Sequence, residues 1–293
     1  MSMNRQLIQS FVTGEISLEK VPTPSVGRRT VLISSTTSLV SLGTEKMLLE
    51  FGKASLLGKA LKQPARLKEA VNKVRTDGVR STFDAVRTKL QQSMPLGYCN
   101  VGEVISIGCD VTTVSVGDRV VSNGPHADIV TVEENLCAKV PDSVSDEAAA
   151  FTVVGSIALQ AIRLVAPGFG EVVVVMGLGL IGLVSVQLLA ASSCRVIGFD
   201  KDKSKVELAR KLGIESYKVD DVDPVGKVIE LTGQTGADAV LITASSDSNQ
   251  IVSQSARMSR KRGKIVLVGV VGLHLSRDDF YEKELSFQVS CSY

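Results

Sequence analysis

Three glycines and one carboxylate carry the first chemical signal. The stretch EVVVVMGLGLIGLVSVQLLA contains Gly177-x-Gly179-x-x-Gly182. An apolar strand leads into this motif and a helix leads out of it. Gly177 permits a tight turn, Gly179 lets the backbone approach a pyrophosphate, and Gly182 lets helix and strand pack closely. The amides of Leu180 and Ile181, at the helix start, offer unpaired donors and partial positive charge to phosphates. The next strand, RVIGFD, ends in Asp200, eighteen residues after Gly182. A carboxylate there accepts both hydroxyls of an adenosine ribose and repels a 2′-phosphate. Lys201, Lys203 and Lys205 soften that repulsion, so NAD is the expected cofactor and NADP stays open. The competing reading is a glycine turn that binds nothing, or one that binds a different nucleotide.

Groups able to move protons are few. The chain has 2 histidines. His126, in NGPHADIV, reads either as an acid/base group or as an exposed loop residue. His274, in VVGLHLSRDDF, reads as part of a surface loop. The serine-rich ASSDSNQ, Ala244 to Gln250, reads as a loop and helix cap rather than a nucleophile. Five cysteines, Cys99, Cys109, Cys137, Cys194 and Cys291, show no paired spacing. That argues against a zinc ribbon or a disulfide framework.

These residues need a scaffold, and 293 residues suffice for two compact domains. Hydrophobic residues make up 44% and charged residues 22%, an ordinary globular balance, and a formal charge of +2 implies no strongly charged partner. No basic region followed by an apolar run opens the chain, so no signal peptide and a cytoplasmic setting are expected. The uncharged run from Val172 to Cys194 is long enough to span a bilayer. Its four valines followed by three glycines instead predict a buried parallel strand, a turn and a core helix.

Residues 1 to about 50 predict short strands, TVLISSTTSLVS among them. From Phe51 to Met94 the pattern changes to two basic amphipathic helices, QPARLKEAVNKVR and GVRSTFDAVRTKL. These read either as a solvated cover on the barrel or as a positive lid for an acidic substrate. Their one aromatic, Phe83, lies on the apolar face, which argues against nucleic-acid binding. Strands return from Gly97 to Val140, broken by glycines as in a small barrel. Ser145 and the alanine run predict a helix start near Asp146. After Gly170, strands expected at 171–176, 195–200, 238–243, 264–270 and 284–291 alternate with helices, as in a parallel α/β domain.

The order of parts, together with GYCNVGEVISIGCDVTTVSVGDRVV and the glycine motif, resembles the medium-chain dehydrogenase/reductase superfamily. That family pairs a GroES-like barrel with a Rossmann domain. The likeness covers nearly the whole chain except residues 51–94. SLGTEKM and FYEKELSFQVSCSY look like a zinc-free subgroup. It includes the N-terminal half of bacterial two-domain oxidoreductases and the bacteriochlorophyllide dehydrogenases. The resemblance places Leu42, Tyr98 and Val154 where zinc-dependent members hold their catalytic metal. Leu and Val cannot coordinate zinc and an un-ionised Tyr is a poor ligand, so no metal is expected. It also puts Val268, Gly269 and Val270 at the nicotinamide amide, and Thr243 and Ala244 near the adenosine half.

Without a metal, hydride transfer at an alcohol carbon needs a side chain to take the proton. Tyr98 replaces a lost ligand and is one candidate, its alternative being a space-filler. Thr44 matches a relay hydroxyl of the family, or is a simple turn hydroxyl. His126 lies in a loop that nears the substrate cleft in relatives. Glu45 is a lesser option. In relatives the polypeptide continues beyond the strand ending at Tyr293 and returns to the barrel, so a truncated chain is expected.

The expected fold is α/β: a GroES-like β-barrel domain (1–147, with a helical insertion at about 51–94), then a doubly wound parallel Rossmann domain (148–293). The expected activity is NAD(P)-dependent, zinc-independent hydride transfer to or from a small-molecule alcohol, sugar or nucleotide sugar. The alternative is an inactive dinucleotide-binding module serving a neighbouring enzyme domain. No nucleic acid or membrane partner is expected. Leu285 to Cys291 is the expected homodimer seam.

Overall fold

A computed structural model describes residues 3–10, 13–43, 45 and 93–291. The chain divides into two compact units, Met1–Val153 and Val154–Tyr293. The expected basic helices and Thr44 lie outside the described residues.

The first unit is rich in sheet. Its described strands are β1 (Met3–Gln9), β2 (Ile16–Pro22), β3 (Thr30–Ser38), β4 (Met94–Pro95), β5 (Asn100–Ile107), β6 (Arg119–Ser122), β7 (Ile129–Glu133) and β8 (Cys137–Lys139). They form two antiparallel sheets, ordered β2-β1-β4 and β7-β3-β5-β6-β8. β-Branched residues at every second position explain the larger sheet. Val31 and Ile33 of β3, Val104 of β5, Val120 of β6 and Val130 of β7 point to one core and are almost wholly buried. Between β3 and β5 the register slips at Leu32/Ile33 and again at Ser35/Thr37. Such bulges bend a strand and let a sheet curl around its core. A Cβ on Gly102 would lie 2.1 Å from the Ser34 carbonyl oxygen, so only glycine admits this strand contact.

Ser145 caps α1 (Asp146–Ala149) by accepting the Ala148 N–H at 3.2 Å. A second helix, α2 (Thr152–Val165), follows after a break. The single helical run expected from the sequence is therefore two helices.

In the second unit the strands β9 (Val172–Met176), β10 (Arg195–Asp200), β11 (Glu215–Lys218), β12 (Ala237–Ile242), β13 (Ser259–Leu267) and β14 (Ser286–Val289) form one parallel sheet. Its order is β11-β10-β9-β12-β13-β14. The helices are α3 (Leu180–Ala191), α4 (Lys203–Lys211), α5 (Pro224–Leu231), α6 (Gln250–Met258) and the short α7 (Arg277–Tyr281). The four valines of β9 need no polar alternation because both faces are covered. Val173 and Val175 pack with Ala161, Val186 and Leu189 on one face. Val174 and Met176 pack with Val228, Val252 and Ala256 on the other. The chain runs outward from β9 through β10 to β11, then crosses back to β12. This leaves a switch point between β9 and β12 at their carboxyl ends, where ligands of open α/β sheets bind.

Two expectations are corrected here. Strand β11 was not anticipated, because ESYK has neither length nor apolar alternation. β13 starts at Ser259, not 264, and stops at Leu267, so Val268–Val270 lie beyond its end. Its basic opening, SRKR, resembles a surface loop in sequence. The structure ties Arg260 to Asp238 at 2.5 Å and to Glu171 at 3.4 Å, which lets a charged segment lie along the sheet.

Candidate functional site

The turn between β9 and α3 is held from three sides. Gly177 has φ of 105°, and a Cβ there would lie 2.6 Å from the Ala244 nitrogen. Its N–H donates to the Phe199 carbonyl at 2.7 Å, and its carbonyl accepts the Thr243 hydroxyl at 2.6 Å. A Cβ on Gly182 would lie 2.0 Å from that same carbonyl oxygen. Gly177 and Gly182 are thus required by contacts within the chain. Gly179 is different: its backbone is extended, at φ −70°, and a Cβ there meets no atom within 4 Å. It is the N-cap of α3, yet no side chain caps the helix and no acidic residue occupies its first turn. The first amides, Leu180 and Ile181 among them, therefore have no side-chain cap and lie at the positive end of the helix dipole.

Asp200 sits at the carboxyl end of β10 and its side chain is 11% exposed. One oxygen, Oδ2, accepts the Leu178 N–H at 2.7 Å; the other, Oδ1, accepts the Asp202 N–H at 2.8 Å. The carboxylate is thereby fixed to the glycine turn itself. Each oxygen keeps a lone pair for a hydroxyl donor. Lys205 Nζ lies 4.0 Å from Oδ1, and Lys203 pairs with Glu207 at 3.8 Å. Asp202 caps α4, and the Ser204 hydroxyl and N–H hold its carboxyl below the usual range.

Thr243 and Ala244 follow β12, and both their N–H groups donate to the Met176 carbonyl at 2.9 Å. Val268 and Gly269 donate to the Ile242 carbonyl, and a Cβ on Gly269 would lie 1.9 Å from the Ala244 carbonyl oxygen. Val270 is 62% exposed. Gly177, Gly179, Leu180, Ile181, Gly182, Asp200, Thr243, Ala244 and 268–270 thus gather at the carboxyl end of one sheet, around its switch point. Lys205 joins them from α4. Sequence reasoning missed Asn249. Its side chain does not cap α6; its Oδ1 accepts the His274 N–H at 3.1 Å and abuts Gly272.

In the first unit His126 is 9% exposed, which corrects the expectation of an open loop side chain. Its ring rests on Gly97, where a Cβ would lie 2.6 Å from ring atoms, and φ is 92°. Nδ1 lies 2.8 Å from Ser38 Oγ and Nε2 lies 3.3 Å from Glu45 Oε1. The same Glu45 oxygen accepts the Ser41 N–H at 2.8 Å, and Glu45 is itself buried. Tyr98 follows Gly97 directly and is half-buried. Neither Ser38 nor this chain of three was visible in the sequence, since its members come from separate elements.

Residues 181–293 match the family model described as zinc-binding dehydrogenase. The chain is similar to 2R,3R-butanediol dehydrogenase from Bacillus subtilis, with a TM-score of 0.77 at 19% identity, covering 99% of this chain and 84% of that one. It is similar to a zinc-binding dehydrogenase from Sinorhizobium meliloti 1021 bound to NADP, with a TM-score of 0.77 at 20% identity and the same two coverages. The fold is that of the medium-chain dehydrogenases and reductases. In sequence the chain is 34% identical to D-guloside 3-dehydrogenase of Escherichia coli (strain K12) over 154 residues, 51% of this chain. The match spans 44% of that relative's length.

The medium-chain dehydrogenase fold raises the question of a metal. Of the three positions read as its ligands, Leu42 is 76% exposed, Tyr98 is half-buried and Val154 is fully buried. Leu and Val offer no donor atom. Among the described residues no group of three or more His, Cys, Asp or Glu is arranged to hold an ion. Among those residues, no helix is long and apolar enough to cross a membrane.

Proposed function

We propose that the chain is an oxidoreductase that binds NAD in preference to NADP and moves hydride between the nicotinamide and an alcohol or carbonyl carbon. The observation that supports it most is the pairing of Gly179 with Asp200. A Cβ on the first would meet no atom within 4 Å, and the second is hydrogen-bonded to Leu178 of the same turn with acceptor capacity to spare. The dinucleotide, when bound, supplies the hydride acceptor. The chain's residues do the rest of the holding: α3 amides on the pyrophosphate, Asp200 on the adenosine ribose, Thr243 and Ala244 beside the adenosine half, and 268–270 at the nicotinamide amide. Lys205 tempers the Asp200 charge.

No catalytic zinc belongs to this reading, because the positions aligned with its ligands include Leu42 and Val154. Acid–base duty then falls to side chains, with Tyr98, Thr44 and His126 as the candidates. The guloside-acting relative makes a secondary hydroxyl on a sugar glycoside the substrate to try first. Titration with NADH and NADPH, followed by the cofactor's own fluorescence, tests the core of the proposal. NADH should bind more tightly, and metal analysis should find less than stoichiometric zinc. Absence of binding by either dinucleotide refutes it. Binding without turnover of any alcohol or glycoside favours an inactive module instead.

A further inference from the structure

We propose that Asn249 is a positioning residue for the nicotinamide half of the dinucleotide, and that it acts by bracing the loop after β13. This rests on the oxidoreductase reading above, which puts 268–270 at the nicotinamide amide, and adds to it what holds those residues in shape. Backbone bonds fix the near end of the loop. The Val268 and Gly269 N–H groups donate to the Ile242 carbonyl at 2.8 and 3.0 Å, and the Val270 carbonyl accepts the Ser246 N–H at 2.8 Å. Val271 forms a parallel bridge with Ser246 and is buried. Past Val271 the support changes. Leu273 and Leu275 are each 51% exposed, so apolar packing holds little of the far end. There the His274 N–H donates to Asn249 Oδ1 at 3.1 Å.

Two independent observations set this bond apart from a chance contact. Asn249 is the N-cap of α6, where an asparagine oxygen ordinarily accepts an amide of its own first turn. Its backbone is instead helical, at φ −79° and ψ −8°, and its side chain makes no cap hydrogen bond. The oxygen crosses to the neighbouring loop. Gly272 supplies the room: a Cβ there would lie 2.3 Å from Asn249 Oδ1 and 2.9 Å from the Asp247 carbonyl oxygen. A residue that sets aside its local preference points to a use elsewhere. The loops after β12 and β13 are thus joined at two places, through Ser246 and through Asn249. The span from Val270 to His274 is held at both ends, so the open face of Val270, 62% exposed, keeps one position. A ring that meets a pre-set surface avoids the cost of ordering a loop on binding.

ADP-ribose is the discriminating ligand. It carries the adenosine, the pyrophosphate and the second ribose of the dinucleotide but no nicotinamide. By calorimetry, Asn249→Ala should weaken NADH about tenfold and leave ADP-ribose within about twofold of the wild type. Asn249→Asp keeps an acceptor oxygen and should restore NADH. Gly272→Ala puts a methyl against Oδ1 and should repeat the Asn249→Ala result. The bond itself can be read without any ligand. With 2 histidines in the chain, nitrogen-15 histidine labelling gives backbone amide signals of His126 and His274 alone. The His274 amide should exchange with solvent more slowly in the wild type than in Asn249→Ala. Equal exchange in the two proteins overturns the brace. An Asn249→Ala protein in which NADH and ADP-ribose weaken alike also overturns it, because a purely structural role loosens the whole site. If the wild type binds both ligands and Asn249→Ala spares NADH, the positioning role alone falls. If the wild type binds neither, the oxidoreductase reading falls with it.

Discussion

Three glycines in one motif have three separate justifications. Gly177 and Gly182 answer to atoms of the protein, Ala244 and the turn carbonyl, so any Cβ there forces a shift. Gly177→Ala and Gly182→Ala should each cost about 1–3 kcal/mol of stability, read by urea unfolding. A Cβ on Gly179 would meet no atom within 4 Å, so Gly179→Asp should leave the unfolding midpoint nearly unchanged. A carboxylate placed against a pyrophosphate costs several kcal/mol, so NADH affinity should fall by more than about tenfold. A Gly179→Asp protein that still binds NADH normally would remove the phosphate from that helix end. All three glycines were legible because their spacing is short. The second role of Asp200, accepting the Leu178 N–H, was not, since it depends on how two strand ends meet in space. The same holds for Cys137, whose thiol is pushed up to about 11 mainly by burial and then by Asp118. No local sequence feature announces that shift. At neutral pH Cys137 should react with iodoacetamide far more slowly than exposed Cys109.

Elements were readable where both partners of a contact share one periodicity. The buried strands β9, β10 and β12 stood out through valines and flanking glycines. β11 and the start of β13 did not, because ion pairs and edge position rather than apolar residues hold them. Lys283 is an example of support that only packing reveals. Its Nζ reaches the carbonyls of Ala256, Arg257 and Ser259 at the end of α6, at 3.3, 2.5 and 2.8 Å. Burial holds its pKa below the ordinary ammonium value, with Arg257 adding to the effect. Glu134 does the corresponding work in the first unit. Buried after β7, its Oε1 accepts the N–H groups of Thr112 and Thr113 at 2.6 and 2.8 Å, which hold its carboxyl below the usual range. A carboxyl lowered on folding adds stability above its unfolded pKa, and that share is lost as pH falls through the folded value. Unfolding midpoints measured from pH 6 to pH 3 should therefore fall more steeply for the wild type than for Glu134→Gln. Parallel curves would mean that the two amides do not depend on the charge.

At the scale of the whole molecule, the alternation of strand and helix after Gly170 foretold a parallel sheet, but not what happens at its ends. β14 is an edge strand that pairs only with β13 among the described strands. Ser290 N–H donates back to Leu267 at 2.8 Å. In an extended strand successive N–H groups alternate in direction, so the N–H of Val289 points outward, away from β13. Val289 is 55% exposed, and an edge with free donors and an apolar residue invites another strand. This supports the proposal of a homodimer formed along Leu285 to Cys291. Val289→Pro removes the outward donor while sparing the bond from Ser290. Sedimentation at micromolar concentration should then show a dimer for the wild type and a monomer for the variant, with circular dichroism unchanged. A variant that stays dimeric would place the seam elsewhere, since no strand can pair through a proline nitrogen.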